Sequence, residues 1–171
     1  MSSPPLTCRP DDTLSQPARL MWDHDCGSVI VTSFAGRLVG VITDRDICMA
    51  AYTRGRSLHE IRVADIMAKQ VWSCQATAPV RWALHLMAQH HVRRLPVVGP
   101  RDCPLGVISL NNIIRYAAAG DARLRYEVFE TIEQISQPRR YDSEHTPRHA
   151  SGVFERPAPP QALGAISERK P

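Results

Sequence analysis

No stretch of this 171-residue sequence approaches eighteen consecutive apolar residues, so no membrane-spanning helix is expected. The opening residues, Met1 to Leu6, have no basic region and no apolar core, so no secretory leader is expected either. Five cysteines are present (Cys8, Cys26, Cys48, Cys74 and Cys103), and none of them forms a Cys-x-x-Cys pair. That argues against a zinc ribbon or a thioredoxin-like site. An odd number of cysteines suits free thiols in a reducing cytoplasm. They read as small buried hydrophobes, with redox sensing by Cys8 or Cys74 as a minor alternative. There is no Gly-rich phosphate loop, no Gly-x-Ser-x-Gly, no His-Glu-x-x-His and no carboxylate pair that stands out. Catalysis is therefore not expected.

The charge balance is mild. A net charge of +4 over this length is ordinary for solubility. Arg123, Arg125, Arg139 and Arg140 form the densest basic cluster, and nucleic acid is not an expected partner. His85 and His90 lie five apart on a predicted helix, with His91 beside them. Five is a poor spacing for sharing a helix face, and no metal site is expected.

What the sequence does contain is a repeat. Gly36 to Ile47 reads Gly-Arg-Leu-Val-Gly-Val-Ile-Thr-Asp-Arg-Asp-Ile, and Pro104 to Ile113 reads Pro-Leu-Gly-Val-Ile-Ser-Leu-Asn-Asn-Ile. A shift of 66 places Gly40 on Gly106. The same shift pairs Cys8 with Cys74, Met21 with Met87, His24 with His90 and Val31 with Val97. It also pairs Thr43 with Ser109, Asp46 with Asn112 and Ile47 with Ile113, without a gap from residue 8 to 51.

Each copy reads as helix, strand, strand, helix. In the first, a helix is expected from about Leu14 to Asp25, with Leu14, Ala18 and Met21 on one face and Gly27 closing it. Strands are expected at Ser28–Thr32 and Leu38–Thr43, then a helix from Asp44 to near Gly55. Residues 56–63 connect the copies, and Val63 to Met67 reads as a helical turn. In the second, Val71 to Cys74 is a short strand, Pro79 to His91 a helix, Leu95–Val98 and Leu105–Ser109 strands, and Asn111–Ala119 a helix. Leu124, Val128, Ile132 and Ile135 then mark an amphipathic helix from Asp121 to Ser136. Residues 138–171 hold six of the fourteen prolines with little apolar periodicity, and read as disordered.

The Leu-Val-Gly-Val-Ile-Thr-Asp-Arg-Asp-Ile run, the Val-Arg-Arg-Leu-Pro-Val-Val run and Ala-Asp-Ile-Met resemble CBS domains, the cystathionine-β-synthase type, over about residues 5–119. The arrangement is similar to a CBS pair, or Bateman module, of the kind found in small stand-alone bacterial proteins such as hypoxic-response proteins. The resemblance implies an α/β fold of two β-α-β-β-α repeats packed as a pseudo-two-fold pair. Its divisions are 5–60, 61–119, a C-terminal helix at 120–137 and the tail at 138–171.

The resemblance also implies a regulatory module that senses an adenosine nucleotide (AMP, ADP, ATP or a related ligand) in the cleft between the repeats. No other cofactor is required. Thr43 and Asp46 would hold the ribose in one copy, and Ser109 and Asn112 in the other. Arg45 is the candidate phosphate partner. Cys8, Ser28, Val29, Cys74, Leu95 and Pro96 are the candidate adenine-pocket residues. Two modules would form a disc-like homodimer through the apolar faces of the helices at 14–25, 44–54, 79–91 and 111–119, and signal to a further protein partner.

This sequence departs from the family pattern in both copies. Asn112 replaces the carboxylate, Asn111 stands where Arg45 does, Ile30 takes the place of Pro96, and the introducing Asp-Ile-Met is missing from the first copy. The first motif is therefore the expected better site. Two readings stay open beside the nucleotide one. Thr43 and Asp46 serve equally as a helix cap. The whole chain also reads as a ligand-free dimer scaffold that recruits a partner through the 121–136 helix.

Overall fold

The computed structural model describes residues 1, 3–120 and 122–137. The tail at 138–171, with Arg139 and Arg140, lies outside the described residues. The elements in chain order are β1 (Thr7–Cys8), α1 (Ser15–Asp23), β2 (Ser28–Thr32), β3 (Leu38–Thr43), α2 (Asp44–Arg54), a 3-10 turn (Val63–Asp65), β4 (Cys74–Gln75), α3 (Val80–His90), β5 (Arg94–Val98), a second 3-10 turn (Pro100–Asp102), β6 (Pro104–Ser109), α4 (Leu110–Ala118) and α5 (Ala122–Ser136).

The strands form two three-stranded sheets, β1-β2-β3 and β4-β5-β6. In each, the short first strand pairs parallel to the second, and the second pairs antiparallel to the third. The registers repeat at the same shift of 66: Cys8 faces Val31 as Cys74 faces Val97, and Ser28 faces Thr43 as Arg94 faces Ser109.

Strand alternation divides each sheet into a core face and an opposite face. Val29, Val31 and Ile42 pack with Cys8, Leu14, Met21 and Ile47 in one core. Leu95 and Val97 pack with Cys74, Leu84, Met87 and Ile113 in the other. Ile30 and Pro96 are buried too, yet belong to neither core, because they lie on the faces away from the helices.

The connector closes the first repeat before it starts the second. Leu14 N–H donates to Ile61 O (2.9 Å) and Val63 N–H donates to Asp12 O (2.8 Å). Farther on, Val41 and Ala68 exchange two backbone hydrogen bonds at the edge of β3. Gly40 permits that approach: a Cβ there would meet Met67 Sδ at 2.7 Å.

Several details differ from the sequence expectations. Helix α1 stops at Asp23, with His24 as its cap, because Asp25 takes φ 46°. Gly27 is not the terminator. Leu14 is the N-cap of α1 rather than its first helical residue, and its free N–H donates to Ile61 O. The strand expected at 71–74 is Cys74–Gln75, because only that dipeptide aligns with β5. Cys48 is exposed on the outer face of α2, while Cys26 and Cys103 are half-buried, so only Cys8 and Cys74 are the buried hydrophobes expected of all five.

Helix α5 carries its apolar stripe as expected, with Leu124 and Val128 buried against the second core. It packs across α3 and α4 and is pinned by Arg81 Nε to Glu127 Oε2 at 2.8 Å. The outer faces of α3 and α4, expected to meet a second copy, thus carry α5.

Candidate functional site

Both repeated motifs sit at the junction of a strand and a helix, and both close the same ring. Thr43 N–H and Thr43 Oγ1 donate to Asp46 Oδ2 (3.0 and 2.7 Å), and Asp46 N–H donates back to Thr43 Oγ1 (3.2 Å). Ser109 N–H and Oγ donate to Asn112 Oδ1 (3.0 and 2.8 Å), and Asn112 N–H returns to Ser109 Oγ (3.2 Å). These are reciprocal capping boxes at the starts of α2 and α4. The cap is therefore real in both copies. It also fixes each polar pair in one rotamer at a helix N-terminus, the positive end of the dipole. A carboxylate offers about four lone-pair directions, so a cap and a diol can share one.

Charge at the two junctions is unequal. Helix α2 opens with Asp44, Arg45 and Asp46, whereas α4 opens with Leu110, Asn111 and Asn112. Arg45 is exposed, and its backbone N–H donates to Asp44 Oδ1 at 2.7 Å. The cross-strand neighbours differ as well: Ser28 faces Thr43, and Arg94 faces Ser109.

Arg94 reaches across to the first repeat. A Cβ built on Gly27 would lie 3.0 Å from Asp44 Oδ2 and 3.3 Å from Arg94 Nη2. A carboxylate from α2 and a guanidinium from β5 thus converge on the one residue without a side chain. From sequence, Arg93-Arg94 reads as a contact to phosphates or to the other repeat, or equally as structural, and Gly27 and Asp44 have other roles. The shift that places Arg94 on Ser28 was the available signal.

The proposed adenine-pocket residues divide by strand alternation. Ser28 and Pro96 lie on the faces away from the helices. Cys8, Val29, Cys74 and Leu95 are in the helix-side cores, so what they can offer a ligand is backbone rather than side chain. Burial pushes the Cys8 thiol up to about 12, with Asp12 adding to the rise, and burial raises Cys74 too. Both stay neutral thiols near pH 7, which makes them poor redox sensors. A cavity of about 260 Å³ is lined by Leu38, Val39, Lys69, Val71, Ser73 and Asp102, at the end of β3 opposite Thr43. It contains none of the predicted site residues.

The two helical histidines have aromatic partners. Trp72 stacks on His90 with ring centroids 3.6 Å apart, and Trp82 on His85 at 5.3 Å. Among the described residues, no group of three or more His, Cys, Asp or Glu is placed to hold a metal ion. No helix among them is long and apolar enough to cross a membrane.

Comparison with known proteins adds to this geometry. The CBS domain-containing protein YhcV of Bacillus subtilis is 32% identical over 66% of this chain and 79% of its own length. Hypoxic response protein 1 of Mycobacterium tuberculosis is 28% identical over 61% of this chain and 73% of its own. A crystal structure of Hypoxic Response Protein I with two coordinated zinc ions superposes with a TM-score of 0.60 at 26% identity, covering 68% of this chain and 94% of that one. The CBS domain protein PAE2072 of Pyrobaculum aerophilum, solved in complex with AMP, has a TM-score of 0.62 at 22% identity, over 78% of this chain and 95% of that one. The sequence model of the CBS domain matches residues 1–52 and 63–119, one match on each repeat. Two matching sheets, two capping boxes at equivalent places and this double match make the chain a tandem member of the CBS domain family.

Proposed function

We propose that the chain is a non-catalytic regulatory module of the cytoplasm that binds an adenosine nucleotide beside Thr43 and Asp46. The observation that carries this reading is the Thr43–Asp46 box at the start of α2, with Arg94 and Asp44 converging on Gly27 next to it. Asp46 would accept from the ribose hydroxyls, and each charge-assisted bond contributes about 1.5–3 kcal/mol. Arg45 and Arg94 are the cations within reach of a phosphate at that end of the helix, and Ser28 and Pro96 would flank the base. Ser109 and Asn112 form the weaker second site. The AMP complex of PAE2072 supports the ligand class. Binding would shift a conformational equilibrium and be read out through self-association or a protein partner.

One observation favours the ligand-free scaffold: the capping boxes account for both motifs with no ligand. A thermal-shift screen with AMP, ADP and ATP, followed by calorimetry, separates the two. A ligand at 100 times its Kd stabilises the native state by about 2.7 kcal/mol. A shift with one of these nucleotides that disappears in Asp46→Ala is the expected result. No shift with any of them, in well-folded protein, counts against the nucleotide reading and for the scaffold.

A further inference from the structure

The ion pairs of α5 gather on one side of the helix. Glu127 meets Arg81 of α3 at 2.8 Å and Arg123 at 3.3 Å. Glu130 and Glu133 have no cation paired with them among the described residues. They share an outer stripe with Tyr126 and Phe129, at the spacing of one helix face, and all four are exposed. Phe129 is 65% exposed and Tyr126 63%, high values for large aromatic side chains. Glu130 takes a hydrogen bond from the Tyr126 phenol and, with Glu133, raises it, so the stripe is acidic as well as aromatic. The last turn of α5 carries no basic residue, although the negative end of the helix dipole favours one there.

The sequence continues past that end for 34 residues, from Pro138 to Pro171. Proline has no backbone N–H and disfavours a helical residue before it, so the sequence calls for α5 to stop at Pro138. Arg139, Arg140, Tyr141 and Asp142 follow at once. Read backwards from its C-terminus, the outer stripe of α5 presents Glu133, Glu130 and Phe129, with Arg125 flanking it one turn before Phe129. The two orders match: cation to anion twice, then aromatic to aromatic, then anion to cation. The lengths match as well. From Gln137 back to Phe129 is about 12 Å along a helix that rises about 1.5 Å per residue, and four extended residues of about 3.3 Å each cover it. The fourth residue after Gln137 is Tyr141.

We infer that the segment 139–142 folds back antiparallel on the outer face of α5, with Arg139 and Arg140 on Glu133 and Glu130, Tyr141 on Phe129, and Asp142 on Arg125. The two arginines then lie at the negative end of the helix dipole, and the two rings cover each other. The segment occupies the face that a protein partner of α5 would need, so such a partner has to displace it. The contact is independent of the nucleotide reading.

Trypsin digestion of the full chain, followed by mass spectrometry, tests the inference. Trypsin cuts after Arg140, inside the segment, and after Arg148, outside it. The ratio of the two rates in each variant, compared with wild type, cancels the intrinsic preferences of trypsin. Cleavage tracks the undocked fraction when docking is fast. Phe129→Asp should raise the Arg140-to-Arg148 ratio by about fivefold, the scale of one aromatic pair, and Glu130→Gln combined with Glu133→Gln should do the same by removing both ion pairs. These positions are exposed, so circular dichroism melts close to wild type are expected. Salt at about 1 M needs no substitution and should also raise the ratio, by screening the charges. Ratios within about twofold of wild type in both variants overturn the contact. A ratio that falls as the protein concentration rises means that the segment docks on another copy, and overturns the fold-back.

Discussion

Replacing Asp46 by Asn separates the cap from the ligand, and the second repeat supplies the control. Asn112 already makes the box that Asp46 makes, with corresponding bonds of 3.0, 2.8 and 3.2 Å against 3.0, 2.7 and 3.2 Å. Asp46→Asn should therefore keep the start of α2. Its cost is the lost attraction between a carboxylate and the helix dipole, about 0.3–1 kcal/mol. Binding should suffer more. Two charge-assisted bonds to the ribose hydroxyls become neutral ones, and the difference is about 1–1.5 kcal/mol each. The sum, about 2–3 kcal/mol, corresponds to a roughly 30- to 150-fold rise in Kd. Urea melts read the first quantity and calorimetry with AMP the second. If Asp46→Asn binds AMP within about threefold of wild type, less than 1 kcal/mol, the ribose is not held by Asp46. If instead the variant loses more than about 2 kcal/mol of stability, beyond the usual range for a cap, the two boxes are not equivalent.

Two further outcomes follow from burial. The Cys8 thiol rises from 9.0 to about 12 in the fold, so the unfolded chain ionises first. Stability is unaffected by this group below pH 9 and falls as the pH climbs from 9 towards 12, by up to about 4 kcal/mol for three units. Cys8→Ala should flatten that part of the curve in urea melts taken between those limits, and an unchanged slope would contradict the assignment. Leu124 is 4% exposed where α5 meets the second core, and Leu124→Ala should cost about 2–5 kcal/mol. A loss below about 1 kcal/mol would mean that α5 is only loosely attached.

The repeat was legible because residues of like type recur at one spacing, and the same spacing governs the observed strand registers. The ends of the elements were less so. Helix α1 stops two residues early through the backbone of Asp25, a conformation that no residue other than Gly signals strongly. Strand β4 is two residues long because a partner, not a propensity, defines it. At the site, the Thr43 and Ser109 motifs announced themselves, since a cap needs those side chains at that spacing. Four of the six adenine-pocket candidates form neighbouring pairs, Ser28-Val29 and Leu95-Pro96, and adjacent strand residues point to opposite faces. Only one of each pair can reach a ligand with its side chain. The convergence of Arg94, Asp44 and Gly27 was hidden because it joins residues 67 apart, and no local pattern reports such a meeting.

The two halves keep one backbone and divide its chemistry. Around the first motif stand Asp44, Arg45, Asp46 and Ser28, which together carry one net negative charge. The Arg94 guanidinium comes to the same junction from the second repeat. The second motif is flanked on its own helix by Leu110, Asn111 and Asn112, none of them ionised. The charged groups that could meet a phosphate therefore gather at the first motif. Arg94 already lies over Gly27 beside Asp44, so a phosphate that draws it away changes the contact between the repeats. Arg94→Ala should therefore weaken ATP binding more than adenosine binding in calorimetry. Equal losses for the two ligands would mean that Arg94 holds the repeats together and does not meet the phosphates.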